Sequence, residues 1–83
     1  MNEAIKEELA CCQGKAARLE KDILRLNAEV RDWTKRIVNE EGISSDADLD
    51  EALFQVRKCL CALKEMENDL KATIEMQIKL LKG

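Results

Sequence analysis

Residues 5–37 read IKEELACCQGKAARLEKDILRLNAEVRDWTKRI, and the spacing of their apolar members decides the fold. Ile5, Leu9, Cys12, Ala16, Leu19, Ile23, Leu26, Val30, Trp33 and Ile37 follow one another at intervals that alternate between four and three residues. That alternation is a heptad repeat, the mark of a long helix lying along another helix. With Leu9 at position a, the a row is Leu9, Ala16, Ile23, Val30 and Ile37. The d row is Ile5, Cys12, Leu19, Leu26 and Trp33.

The second half of the chain carries a seam of its own in Leu49, Leu53, Val56, Leu60, Leu63, Glu67, Leu70, Ile74, Gln77 and Leu81. Folding the chain about Ile43 sets Ile37 against Leu49, Trp33 against Leu53, Val30 against Val56, Leu26 against Leu60 and Ile23 against Leu63. Local signals choose the same turn independently. Gly42 followed by Ile43 is the pattern of a left-handed C-cap with an apolar residue folding back on the helix. Ser45 with Asp48 three residues on resembles a capping box that starts the next helix. At the front, Asn2 is placed to cap, and Glu3, Glu7 and Glu8 suit the positive end of the helix dipole. Gly14 interrupts nothing, since the seam passes from Cys12 to Ala16 without losing phase.

The expected fold is therefore all-α: a single antiparallel two-helix coiled-coil hairpin, with a helix over 3–41, a turn over 42–46 and a helix over 47–82. A helix of that length spans about 58 Å, so the molecule should be a rod that assembles into a four-helix bundle or a larger helical complex. The competing arrangement keeps the helices but zips them in parallel with a second chain, which β-branched residues at a and leucines at d also permit.

Composition narrows the function. The chain of 83 residues has no proline and no histidine, carries 37% charged residues and has a net charge of −3 with both signs interspersed. Such a balance gives no electrostatic reason for a nucleic-acid partner. No apolar run approaches the roughly 20 residues that cross a bilayer, and the acidic start is unlike a signal peptide, so an intracellular, cytoplasmic location without membrane insertion is expected. Cys11, Cys12, Cys59 and Cys61 lack both disulfide-competent spacing and a Cys-x-x-Cys zinc pattern; they read as reduced thiols used as small apolar residues. Without histidine, tyrosine or a glycine-rich loop, neither catalysis nor a small-molecule substrate, cofactor or metal is expected.

What remains is the surface outside the seam. The first helix has a second apolar line at Ala10, Ala17, Leu24 and Val38, and the second helix has one at Ala52, Cys59, Met66 and Leu80, with Phe54 and Cys61 beyond it. The seam as drawn puts these lines on opposite flanks. So wide a stripe is typical of helices with more than one neighbour. Leu24, Val38, Phe54, Cys59, Met66 and Leu80 are accordingly the candidate protein-binding residues. Two polar seam positions stand out: Glu67, which should reach water while Met66 takes its place, and Gln77. Across the flank, Glu20 is expected to face Lys64, and Arg57, Lys64 and Lys71 form a basic row. The acidic stretch from Glu40 to Glu51 holds six acidic residues and no basic one. The pattern fits a non-enzymatic coiled-coil interaction subunit, with another copy or a different coiled-coil protein as partner. The alternative is a small helical-hairpin chaperone or adaptor holding an amphipathic client helix.

Overall fold

The computed structural model describes residues 2–82. Two helices, α1 (Glu3–Val38) and α2 (Asp46–Lys82), fold back on one another as a hairpin. The rod measures 61 × 14 × 14 Å with a radius of gyration of 18.4 Å, against about 12 Å for a compact domain of this length. Helix α1 starts where expected: the Asn2 side-chain oxygen accepts the Ile5 N–H at 2.9 Å, satisfying one of the donors that an N-terminus leaves free.

The turn differs in detail from the expected one. Helix α1 ends at Val38, not at Glu41, and the left-handed residue that closes it is Glu40 (φ 55°). The Glu41 N–H reaches back to the Arg36 carbonyl at 2.9 Å and the Glu40 N–H to the Ile37 carbonyl at 3.3 Å, the paired bonds of a Schellman motif. Gly42 (φ 71°) is also left-handed, but it continues the turn after the cap is complete. The expected inward fold of Ile43 is present, and it lines a recess with Trp33 and Ala52. Ser45 caps α2 by accepting the Asp48 N–H at 3.2 Å. Asp48 reaches one residue further than a standard capping box and takes both the N–H (3.0 Å) and the hydroxyl (2.9 Å) of Ser44. These donors stabilise the charged carboxylate, the Ser44 N–H most, and hold the Asp48 carboxyl below its ordinary value of 3.8.

The seam of α1 is inward as read from its heptads: Leu26 is buried, and the other nine seam residues from Ile5 to Ile37 are half-buried. In the seam of α2, one of the two rows is corrected by one position along the whole helix. Leu49, Val56, Leu63, Leu70 and Gln77 face α1, but their companions are Ala52, Cys59, Met66, Thr73 and Leu80, and Leu53, Leu60, Glu67, Ile74 and Leu81 are exposed. The central cluster of Leu26, Cys59 and Leu63, flanked by Ile23, Val30, Ala62 and Met66, fixes the register. Together with the Cys59–Glu29 contact, it sets Leu26 level with Leu63 instead of Leu60 and Val30 with Cys59 instead of Val56, and leaves Ile23 packed on the same cluster beside Met66. Extending that register puts Ile37 beside Ala52, Trp33 beside Val56 instead of Leu53, and Ala16 beside Thr73.

Two physical reasons favour this phase. It carries Glu67 into water, where a carboxylate avoids the cost of burial without a partner. It also sets small Ala52 and Cys59 against the branched Ile37 and Val30, so the helices approach closely and large faces small. Thr73 is the one buried polar side chain among the described residues, and its hydroxyl donates to the Asp69 carbonyl at 2.8 Å.

Candidate interaction surface

With the seam of α2 placed, every residue of the hairpin falls on one of two flanks. The α1 row of Glu8, Lys15, Asp22, Glu29 and Arg36 marks the first flank. Its position is fixed by contact across the helices: the Cys59 thiol donates to the Glu29 carboxylate at 3.5 Å. Asp48, Gln55, Ala62, Asp69 and Met76 of α2 lie on that side, which is therefore largely charged and polar. Burial, followed by the bond to Glu29 and its negative charge, pushes the Cys59 thiol above its ordinary range. A thiol held protonated there is a poor nucleophile and acts as a small packing group.

The second flank is of opposite character. The α2 row of Leu53, Leu60, Glu67, Ile74 and Leu81 lies along it, and four of the five are large apolar residues left in water. Leu60 is 49% and Leu81 63% exposed. The heptad positions next outward add Ile78 from α2, and Leu24 and Val38 from α1, and all three are exposed. Ala10 and Ala17 continue the α1 line towards the open end. Phe54 and Cys61 project from the back of α2 beside the same flank.

Sequence reasoning nominated six residues, and the structure divides them. Leu24 (69% exposed) and Val38 are on this flank, and Phe54 is on the surface at the back of α2 beside it. Cys59 (7% exposed) belongs to the hairpin core, and Met66 and Leu80 are half-buried in the seam. The reason is the one-position phase change: the row taken as surplus is the inner row, and the row taken as inner is surplus. The two surplus lines therefore do not lie on opposite flanks. They share one, where the polar α1 row of Lys6, Gln13, Glu20, Asn27 and Thr34 runs between them.

Charges on the rod do not tie the helices together. Among the described residues the ion pairs are Lys6–Glu3 at 3.9 Å, Arg25–Asp22 at 3.8 Å and Arg36–Asp32 at 2.9 Å, each within one helix and exposed. Pairs of that kind contribute about 0.2–1 kcal/mol at most. The expected Glu20–Lys64 pair is not formed, because the register shift brings Glu20 level with Glu67 instead. Arg36 also lies over the Trp33 ring, 4.8 Å from its centroid, and covers the turn end of the seam.

The four cysteines are free thiols, with Cys11 and Cys61 exposed and Cys12 half-buried. Among the described residues no cluster of histidine, cysteine or carboxylate side chains has the arrangement of a metal site. No helix among them is long and apolar enough to cross a membrane. Set against family models, curated proteins and solved structures, the chain matches none of them.

Proposed function

We propose that this protein is a non-enzymatic coiled-coil interaction subunit that joins a larger helical complex through one apolar flank. The observation that carries this reading is the row Leu53, Leu60, Ile74 and Leu81, which heptad spacing aligns along the whole of α2 and which α1 covers only in part. Isolated surface leucines need no explanation, but a row of large apolar side chains repeated at heptad spacing, broken only at Glu67, is the pattern of an interaction site. Straight helical geometry further favours helices as what covers it, since a row at seven-residue intervals offers knobs to the holes of a parallel or antiparallel neighbour.

A pull-down from the source cell tests the reading. The wild-type chain is compared with Leu24→Glu and Leu60→Glu variants, whose changes lie on the exposed flank and leave the seam intact. Loss of the same partner from both variants, with helicity unchanged by circular dichroism, is the expected result. Retention of every partner by both variants would overturn it.

A further inference from the structure

The outer row of α2 reads Leu53, Leu60, Glu67, Ile74, Leu81: apolar, apolar, charged, apolar, apolar. It reads the same in both directions. We propose that its occupant is a second copy of this chain, with the two α2 helices packed back to back and antiparallel about a two-fold axis at Glu67. This inference rests on the flank described above as the interaction surface and names what covers it.

Three observations support it. The first is register. In the antiparallel pair centred on Glu67, Leu53 lies with the second copy's Leu81, and Leu60 with the second copy's Ile74, so each apolar residue meets another. A slip of one heptad in either direction would set both Glu67 carboxylates against apolar side chains, whereas at the axis their mutual repulsion is offset by neighbouring lysines. A two-fold interface requires this self-complementarity.

The second is charge. Lys64 and Lys71 lie three and four residues either side of Glu67 on the adjoining outward row. Back-to-back packing brings the second copy's Lys64 and Lys71 to either side of Glu67, where Glu20 is already its neighbour across the hairpin. The centre then holds two carboxylates and two ammonium groups from each copy. Polarity along α2 selects the antiparallel arrangement over the parallel one. On the side of this row its start carries Asp46 and Asp50, and its last turn carries Lys82. Antiparallel packing sets the acidic start of each copy beside the basic end of the other, whereas parallel packing would crowd the two acidic turns.

The third is area. The hairpin exposes 6432 Å², where a compact monomer of its mass of 9.5 kDa would expose about 5,000 Å². The excess of about 1,400 Å² is spread over all faces of the rod, whose 61 Å length leaves room along one side for the roughly 800 Å² per partner of a standard stable interface.

Sedimentation equilibrium on the full chain, together with disulfide trapping, tests the proposal. The wild-type protein should sediment at twice its monomer mass in the micromolar range. Leu60→Glu/Ile74→Glu should be monomeric with its helicity retained, and Glu67→Leu should dimerise more tightly by about tenfold or more. Trapping uses chains in which Cys11, Cys12 and Cys61 are replaced by alanine. A mixture of Leu53→Cys and Leu81→Cys chains should yield the mixed disulfide under mild oxidant, and neither chain alone should cross-link. A Leu53→Cys chain that cross-links to itself, or a dimer that gives no mixed disulfide, would overturn the two-fold arrangement. A monomer at every concentration would overturn the second copy as occupant. In that event the pull-down with Leu60→Glu separates the outcomes: a lost partner keeps the flank as an interaction surface for a different helix, and no lost partner removes both readings.

Discussion

Truncating Leu63 and Leu60 to alanine separates the two possible phases of α2 most directly. Leu63 is 5% exposed and packs against Leu26 and Cys59. Leucine-to-alanine changes in a core cost about 2–5 kcal/mol from lost transfer energy and the cavity left behind, and a two-helix rod, open along both sides, relaxes towards the lower end of that range. Leu60 is only about half covered within the hairpin. Full burial of a leucine side chain contributes about 1.5–3 kcal/mol, so a half-covered one loses about 1.5 kcal/mol or less on truncation. Urea or thermal unfolding followed by far-ultraviolet circular dichroism reads the difference, at dilutions where the wild-type midpoint no longer depends on concentration. Leu63→Ala should lose most or all cooperative helicity, and Leu60→Ala should stay near wild type. Equal losses at the two positions under those conditions would mean that Leu60 shares the seam, and the placement of the free flank would fall with it.

Three further outcomes follow from the local structure. Gly14 sits mid-helix with nothing within 4 Å of where a Cβ would be, so Gly14→Ala should raise stability by about 1 kcal/mol in the same unfolding assay. Glu40 holds a left-handed conformation that costs a side-chain-bearing residue about 1–2 kcal/mol, so Glu40→Gly should stabilise the turn by about 1 kcal/mol. Asp48 has a depressed carboxyl pKa in the folded hairpin, so its contribution is fully present above the ordinary value of 3.8 and is lost as pH falls through the lower folded value. An acid titration of helicity should therefore show wild type and Asp48→Asn converging in that acidic window, with Asp48→Asn the less stable of the two at neutral pH.

The hairpin itself was legible because two kinds of signal agreed: heptads on either side of the turn, and capping residues within it. Asn2, Ser45 and Asp48 cap as their chemistry suggests. The exact closure of α1 was not legible, since the sequence offers Gly42 for the left-handed position and the Schellman bonds fall on Glu40, a residue type that disfavours it. The phase of α2 was hidden for a different reason. Its apolar stripe is three rows wide, and the middle row, from Leu49 to Gln77, fits either companion. Periodicity favours the leucine-rich row, because it weighs each side chain alone. Packing against α1 weighs complementarity, and there the small Ala52, Cys59 and Thr73 fit opposite Ile37, Val30 and Ala16. Position 67 was the one place where the sequence pointed to the right answer, since a glutamate in the seam with methionine beside it calls for a shift of one residue. Applied to the entire helix, that local signal would have recovered the observed phase.

The distribution of bulk between the two rows has an energetic consequence that links stability to association. Only Leu26, Ala52, Cys59 and Leu63 are buried apolar residues among those described, and two of these side chains are small. Helices of 36 and 37 residues cannot offset their ordering entropy comfortably on so narrow a seam, because fixing each residue's backbone costs about 1–2 kcal/mol. The leucines and isoleucine that would widen the core stand on the outer row instead, where α1 covers them only in part. Whatever covers that row binds the folded hairpin and not the unfolded chain, so it stabilises the fold by mass action. With a second copy as occupant, the wild-type melting midpoint should climb steadily with protein concentration, whereas Leu60→Glu/Ile74→Glu should melt at one lower, concentration-independent temperature. A wild-type midpoint that stays constant over a hundredfold range of concentration, with a mass of one chain throughout, would show that the narrow seam suffices alone and that this coupling is absent.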